Sequence, residues 1–251
     1  MKAISWALSG LLLSYSLAAQ EMRVKFAIGE WAPYTSSSGN PNEKVAEQIV
    51  VKAFESQGYQ VELDYFPWPR SLRLASQDKY DGSFPWMVSD SRQEQFLISV
   101  PFFTQKIVFF SHKDVGFTCS NAEDLKKYVI GATQDYQATN HLISLGVKLT
   151  IASTEEINFI KLSKKRIDAY PTGLIRGKYL LGKLLDSKEA AQIQISNQSL
   201  MGDGIEMHIL FSKHNLERSQ HLNRVFARGL KQLIDSGEYQ LIVFDSNRIN
   251  E

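Results

Sequence analysis

The sequence predicts an α/β protein of two lobes, on three observations. Strand-like and helix-like segments alternate along nearly the whole chain, a βαβαβ run is complete by Phe84, and the same grammar then starts again after residue 120. With 43% hydrophobic residues in 251, the chain can bury one large core or two smaller ones, and the order of elements favours two.

Each element has its own local reason. Val24 to Ile28 alternates as a strand does and runs into the loop Gly29-Glu30-Trp31-Ala32-Pro33-Tyr34. Asn40 with Glu43 reads as a capping box, Pro41 suits a first helical position, and Val45, Ile49 and Ala53 recur along one face until Gly58. Gln60 to Phe66 is the next strand, Ser71 to Gln77 a short helix, and Tyr80 to Phe84 a third strand. In the second half Asn121 with Asp124 opens a short helix, Tyr128 to Ala132 is a strand, and Gln137 to Leu145 a helix closed by Gly146. Val147 to Ile151 follows as a strand, Ser153 with Glu156 as a second capping box, then a helix carrying Ile157, Ile160 and Leu162. Arg166 to Tyr170 reads as a strand, Leu174 to Leu185 as a helix, and Gln192 to Ile195 as an edge strand. The chain closes with the apolar strand Met207 to Ser212, a long helix from Leu216 to Ile234, and a last helical turn or two over Glu238 to Phe244.

The first residues bear on location. Met1-Lys2, an apolar stretch from Ile4 to Leu17 and the small side chains of Ser16-Leu17-Ala18 read as a secretory signal peptide over residues 1–19, cleaved near Ala18 to Gln20. Its apolar core is shorter than the ~20 residues a spanning helix needs. Cys119 is the only cysteine, so no intramolecular disulfide is expected, and it reads as a small semi-buried residue. Lys and Arg number 28 against 27 Asp and Glu, a balance that indicates no nucleic-acid surface.

Arg92 is the leading site candidate. It follows the aromatic, proline-containing stretch Tyr80-Asp81-Gly82-Ser83-Phe84-Pro85-Trp86 and precedes the apolar segment Phe96 to Val100. A guanidinium so placed matches a carboxylate with two parallel hydrogen bonds, and flanking rings strengthen the pair by excluding water. The alternative is a surface arginine after a turn.

A family resemblance runs through the mature chain. Gly29 to Tyr34 (Gly-x-Trp-x-Pro-Tyr), Trp68-Pro69-Arg70, Tyr80-Asp81-Gly82, Arg92 seven residues before Ser99-Val100-Pro101, Arg166-Ile167-Asp168-Ala169, Leu210 to Lys213 and Gly237-Glu238-Tyr239 occur in the order found in family 3 extracellular solute-binding proteins, which this sequence resembles. The resemblance implies the type II periplasmic binding-protein fold: two α/β lobes joined by two crossover strands, with ligand held in the cleft between them. Lobe 1 would be residues 20–105 completed by 208–251, and lobe 2 residues 106–207, with Ile107 to Phe110 and Met207 to Phe211 as the crossing strands. It also implies a periplasmic monomer that takes a small-molecule ligand, needs no cofactor, and works with a membrane permease or receptor.

Carried over residue by residue, Arg92 falls on the arginine that clamps a ligand carboxylate. The acid that holds the α-ammonium in amino-acid binders would stand five positions after Asp168, where this chain has Gly173. Asp135-Tyr136-Gln137 replaces the small hydroxyl residues of relatives. Trp31, Tyr34 and Trp68 in the first lobe, with Phe84 and Trp86 on or beyond a strand, are candidate ligand-contacting rings, as are Tyr136 and Tyr170 in the second. For several of them core packing is the competing role. Glu30 and Asp135 are the acids available to a ligand amine, and Arg70 is a second candidate anion contact. Catalysis finds little support: the five histidines lack metal-ligand spacing and no nucleophile elbow or phosphate loop occurs. The expected function is capture of a small carboxylate-bearing solute for an ABC importer; the alternatives are a sensing module or a dehydratase-like enzyme using Glu30.

Overall fold

The structure, a computed structural model, describes residues 22–134 and 136–247. The expected signal peptide and Asp135 lie outside these residues. In chain order the elements are β1 (Arg23–Ile28), α1 (Val45–Glu55), β2 (Gln60–Tyr65), α2 (Trp68–Ala75), β3 (Gly82–Trp86), α3 (Asp90–Gln95) and β4 (Phe96–Ile98). There follow β5 (Phe103–Gln105), β6 (Ile107–His112), α4 (Ala122–Leu125), β7 (Ile130–Thr133), α5 (Gln137–Ser144), β8 (Leu149–Ala152) and α6 (Glu155–Ser163). The remainder is β9 (Ala169–Gly173), α7 (Leu174–Leu184), α8 (Ser187–Ala190), β10 (Ile193–Ser199), β11 (Ile205–Ser212), α9 (Leu216–Ser236) and α10 (Glu238–Asn247).

The chain divides into two compact units. Unit 1 runs to Phe102 and resumes over Met207–Val243; unit 2 is Phe103–Glu206, joined by the segment that starts at Phe244. Ile107 to Phe110, expected to cross between lobes, lies wholly in unit 2, where β6 pairs with β9 and β10. The chain changes unit at Phe102–Phe103 and at Glu206–Met207.

The two sheets follow one plan. In unit 1 the order is β2-β1-β3-β11-β4, with β1 parallel to β2 and β3 and β11 antiparallel to its neighbours. In unit 2 it is β10-β6-β9-β7-β8, with β7 parallel to β8 and β9 and β6 antiparallel to its neighbours. Each sheet therefore has a central parallel strand flanked on both sides, which makes a switch point between β1 and β3 and another between β7 and β9.

Aromatic packing fills both units. In unit 1 Phe26 lies 5.8 Å from Phe54 and 5.1 Å from Phe84, and Phe102 lies 6.2 Å from Phe84 and 5.9 Å from Phe226, all nearly or fully buried. In unit 2 Phe159 sits 5.3 Å from Phe110 and 5.5 Å from Tyr170, while Phe109, Phe117, Leu125, Ile130 and Leu142 form a second cluster. Each such side chain contributes about 1.5–3 kcal/mol by leaving water, which is why the alternating runs settle as strands beneath helices.

Several boundaries differ from the sequence expectation, each for a visible reason. Pro41 opens a short 3-10 turn capped by Asn40, and α1 starts only at Val45, because Glu43 turns its carboxylate to the Ser38 hydroxyl (2.6 Å) instead of reaching back to the cap. Thr154, not Ser153, caps α6 by accepting from the Ile157 N–H. Arg166 to Asp168 precedes β9 because Asp168 uses its carboxylate on the Val129 N–H (2.7 Å). Pro85 lacks a ladder N–H and lies where the β3–β11 register shifts, between the pairs Ser83 with Leu210 and Trp86 with His208. Among the described residues no helix is long and apolar enough to cross a membrane.

Candidate functional site

In open α/β sheets ligands bind outside the carboxyl ends of the parallel strands, at the switch point. In unit 1 those ends carry the loop after β1, the β2–α2 turn and the segment from β3 into α3. They bring together Glu30, Trp31, Trp68, Trp86 and Arg92, drawn from three separate stretches of sequence.

The arrangement is held by specific contacts. Trp68 donates its indole N–H to the Glu30 carbonyl (3.2 Å) and lies flat against Gly29, where an added Cβ would fall 2.5 Å from the ring. Its ring meets Trp86 edge to face at 5.0 Å, and Trp86 is fixed by its own N–H to the Ser83 hydroxyl at 2.8 Å. The Arg92 guanidinium stacks on Trp86 at 4.6 Å and donates one hydrogen bond to the Met87 carbonyl at 2.8 Å. It is half-buried, burial pushes its pKa down, and among the described residues no carboxylate pairs with it. A partly desolvated guanidinium with donors to spare can pair with an anion through two parallel hydrogen bonds.

The other unit 1 candidates take different places. Tyr34 is buried with its ring tilted against that of Trp31 at 4.4 Å, which makes it packing for that ring and corrects the expectation that it meets ligand. Phe84 is fully buried between Phe26 and Phe102, which makes it core packing under the site and corrects the expectation that its ring meets ligand. Glu30 is exposed, with its carboxylate on the Ser37 N–H at 3.0 Å. Arg70 is exposed over the Phe66 ring at 4.8 Å.

A buried acid missed from sequence braces the Trp31 loop. Glu47, on the first turn of α1, accepts from the Ser36 N–H and the Tyr65 hydroxyl, both at 2.6 Å. Burial pushes its carboxyl above the ordinary range, against the opposite pull of Tyr65, Ser36 and Lys44. With the folded pKa raised, this group's contribution to stability is fullest in acid, below the ordinary glutamate range, and is lost as pH rises through the raised value. Glu47→Gln keeps an acceptor without the buried charge. It should therefore melt higher than the parent near neutral pH, with the difference closing towards pH ~4, a comparison that thermal melts across that range would settle. A variant that melts lower near neutrality would show that the ionised carboxylate is held at a net gain.

In unit 2 the carboxyl ends of β7 and β9 carry a polar network. Glu155 is buried, accepts from Arg176 Nε (2.6 Å) and from the Thr172 hydroxyl (2.5 Å), and Arg176 also reaches Glu156 at 3.0 Å. Tyr170 is buried, its hydroxyl 2.7 Å from that of Thr133 and its ring on Phe159, which assigns it to support and corrects the expectation of a ligand-facing ring. Tyr136, just before α5, stays partly exposed, and the burial it does have, with Glu155 close by, pushes its phenol up. Gly173, where the resemblance implies an acid in amino-acid binders, has the side chain of Gln105 over it: an added Cβ would lie 2.3 Å from the Gln105 amide nitrogen. Nothing in the sequence pattern marks Gln105, which stands two residues before an apolar strand.

No protein-family model matches the chain, and no curated protein matches it. Solved structures do. An amino acid ABC transporter substrate-binding protein from Streptococcus pneumoniae, bound to L-arginine, superposes with a TM-score of 0.70 at 18% identity, covering 93% of this chain and 97% of that one. An ancestral arginine-binding protein bound to arginine gives 0.66 at 19%, covering 89% and 98%. A histidine kinase sensor domain with similarity to periplasmic binding proteins gives 0.67 at 17%, covering 90% and 96%. At these identities the likeness is one of fold. The chain has the periplasmic-binding-protein fold, an α/β architecture of two units, as the sequence predicts.

Proposed function

We propose that this protein binds a small carboxylate-bearing solute of amino-acid size, in the periplasm, and delivers it to an ABC importer without transforming it. The observation that carries this reading is Arg92: half-buried, stacked on Trp86, and without a carboxylate among the described residues. The two units serve as the lobes that the sequence resemblance implies. Support comes from the neighbours of the same fold, two of which are described as bound to arginine.

A thermal-shift panel of amino acids, oxo and hydroxy acids, aromatic acids and amines tests the reading. Binding at a hundredfold excess over Kd adds about 2.7 kcal/mol, or roughly 5–11 °C at about 2–4 °C per kcal/mol for this size. Shifts confined to amines, or conversion of any compound to product, would defeat it. The histidine kinase sensor domain among the neighbours favours a second reading, presentation of the same ligand to a membrane receptor. Co-purification with a permease or with a receptor kinase separates the two.

A further inference from the structure

We propose that Trp68 selects the ligand, and that the solute held at Arg92 is a carboxylate carrying an uncharged aromatic ring, taken in preference to one carrying a cationic side chain. This rests on the reading of Arg92 as the carboxylate anchor and uses unit 1 alone. Arg92, Trp86 and Trp68 form a continuous wall there. The guanidinium lies 4.6 Å from the Trp86 ring, and Trp86 meets Trp68 edge to face at 5.0 Å. Because both distances share the Trp86 ring, Trp68 is no farther than their sum from the guanidinium. A ring on a short linker covers such a span while its carboxylate pairs with Arg92.

The local sequence builds the Trp68 indole into place. Trp68 opens α2, with Pro69 suited to the first turn. Gly29, just past β1, has no Cβ: one there would fall 2.5 Å from Cδ2 and Cε2 of the indole and 2.8 Å from Nε1. The glycine thus admits the ring against the backbone, and the indole N–H holds the Glu30 carbonyl at 3.2 Å. Trp68 is half-buried, and among the described residues Trp86 is the only ring it meets. Its exposed remainder is a π surface ordered before ligand arrives, so stacking on it costs little further entropy.

The same wall is a poor host for a cation. The Trp86 ring already carries Arg92, so a second cation drawn to these rings meets a like charge close by. Glu30 does not offset it, because its carboxylate is on the Ser37 N–H. An uncharged ring takes stacking from Trp68 and leaves the ligand carboxylate to neutralise Arg92. Two solved neighbours of the same fold are described as bound to arginine, so the inference sets this chain apart from them.

Calorimetric titration of the full chain with two pairs tests this: L-phenylalanine against L-arginine, and 3-phenylpropanoate against 5-guanidinopentanoate. Each pair agrees in its α-substituent, so the difference reads the side chain. The aromatic member should bind about tenfold or more tighter in every pair that binds. Trp68→Leu, which keeps apolar bulk, should close that gap to within about twofold and leave the weak affinity for propanoate unchanged. Trp68→Phe keeps a ring and loses the N–H to Glu30, and should retain the preference. Equal or tighter binding of a cationic member overturns the inference. A gap that survives Trp68→Leu, or that Trp68→Phe loses as fully, overturns the role of this ring; so does loss of propanoate binding in Trp68→Leu, which would make Trp68 a brace for Arg92. In each of these cases abolition of binding by Arg92→Ala leaves the proposed function standing, whereas absence of any carboxylate binding, or binding indifferent to Arg92→Ala, removes both.

Discussion

Arg92→Ala should weaken binding of the carboxylate ligand by a factor of about 30 to several thousand, the equivalent of ~2–5 kcal/mol for truncating one partner of an enclosed, hydrogen-bonded charge pair. The ligand-free protein should barely notice. Arg92 has one hydrogen bond to Met87 and one stacked ring, and the stack is worth about 0.5–2 kcal/mol, so the apo melt should fall by only a few degrees. Arg92→Lys keeps the charge and loses the two-pronged geometry, and its affinity should fall between parent and alanine variant. An apo protein that unfolds far earlier would mean that Arg92 secures the α3 segment to β3 and that its stacking on Trp86 is structural.

The residues at the strand ends of the two units differ in how legible they are. Arg92 is readable because aromatic residues and a proline precede it in sequence, and one of those rings, Trp86, lies under its guanidinium in space. Trp31, Trp68 and Trp86 are readable because each follows or closes a parallel strand, and the sheet order gathers strand ends that lie far apart in the chain. Tyr34, Phe84 and Tyr170 are aromatic and lie near strand ends of their own units, but strand alternation decides which ring faces the core, and a loop or a proline breaks that alternation. Gln105 is illegible because its position follows from the missing side chain at Gly173 and from the β6–β9 register, and pairwise register is not written locally. Glu47 is hidden for a related reason: on the first turn of a helix it passes for a dipole-matched surface acid, and only the fold of the Trp31 loop buries it.

Tyr80-Asp81-Gly82 and Arg166-Ile167-Asp168-Ala169 each carry an aspartate, and the structure gives both aspartates one structural job. Each stands just before a strand beside the one it braces and accepts a backbone N–H there: Asp81 from Lys25 N within β1 at 2.9 Å, Asp168 from Val129 N just before β7 at 2.7 Å. Asp81 does more, because Arg218 of α9 also clasps it, with Nε at 2.5 Å and NH2 at 3.0 Å, while Arg218 NH2 reaches the Arg23 carbonyl at 2.6 Å. One carboxylate thereby fastens β1, β3 and α9. Asp81→Ala strands a backbone donor and most of a guanidinium, at about 1–3 kcal/mol for each unsatisfied group. The expected loss is thus roughly 3 kcal/mol or more, a fall of about 6–12 °C in Tm. Asp168→Ala removes the backbone contact alone and should cost about half as much. Urea unfolding of the two variants checks the order. Equal losses would show that the Arg218 pair adds nothing, the usual fate of an exposed ion pair. Because neither aspartate lies in the candidate site, both variants should keep parental ligand affinity below their melting transitions, and a binding loss in Asp81→Ala that Asp81→Asn does not repair would move this residue from scaffold to site.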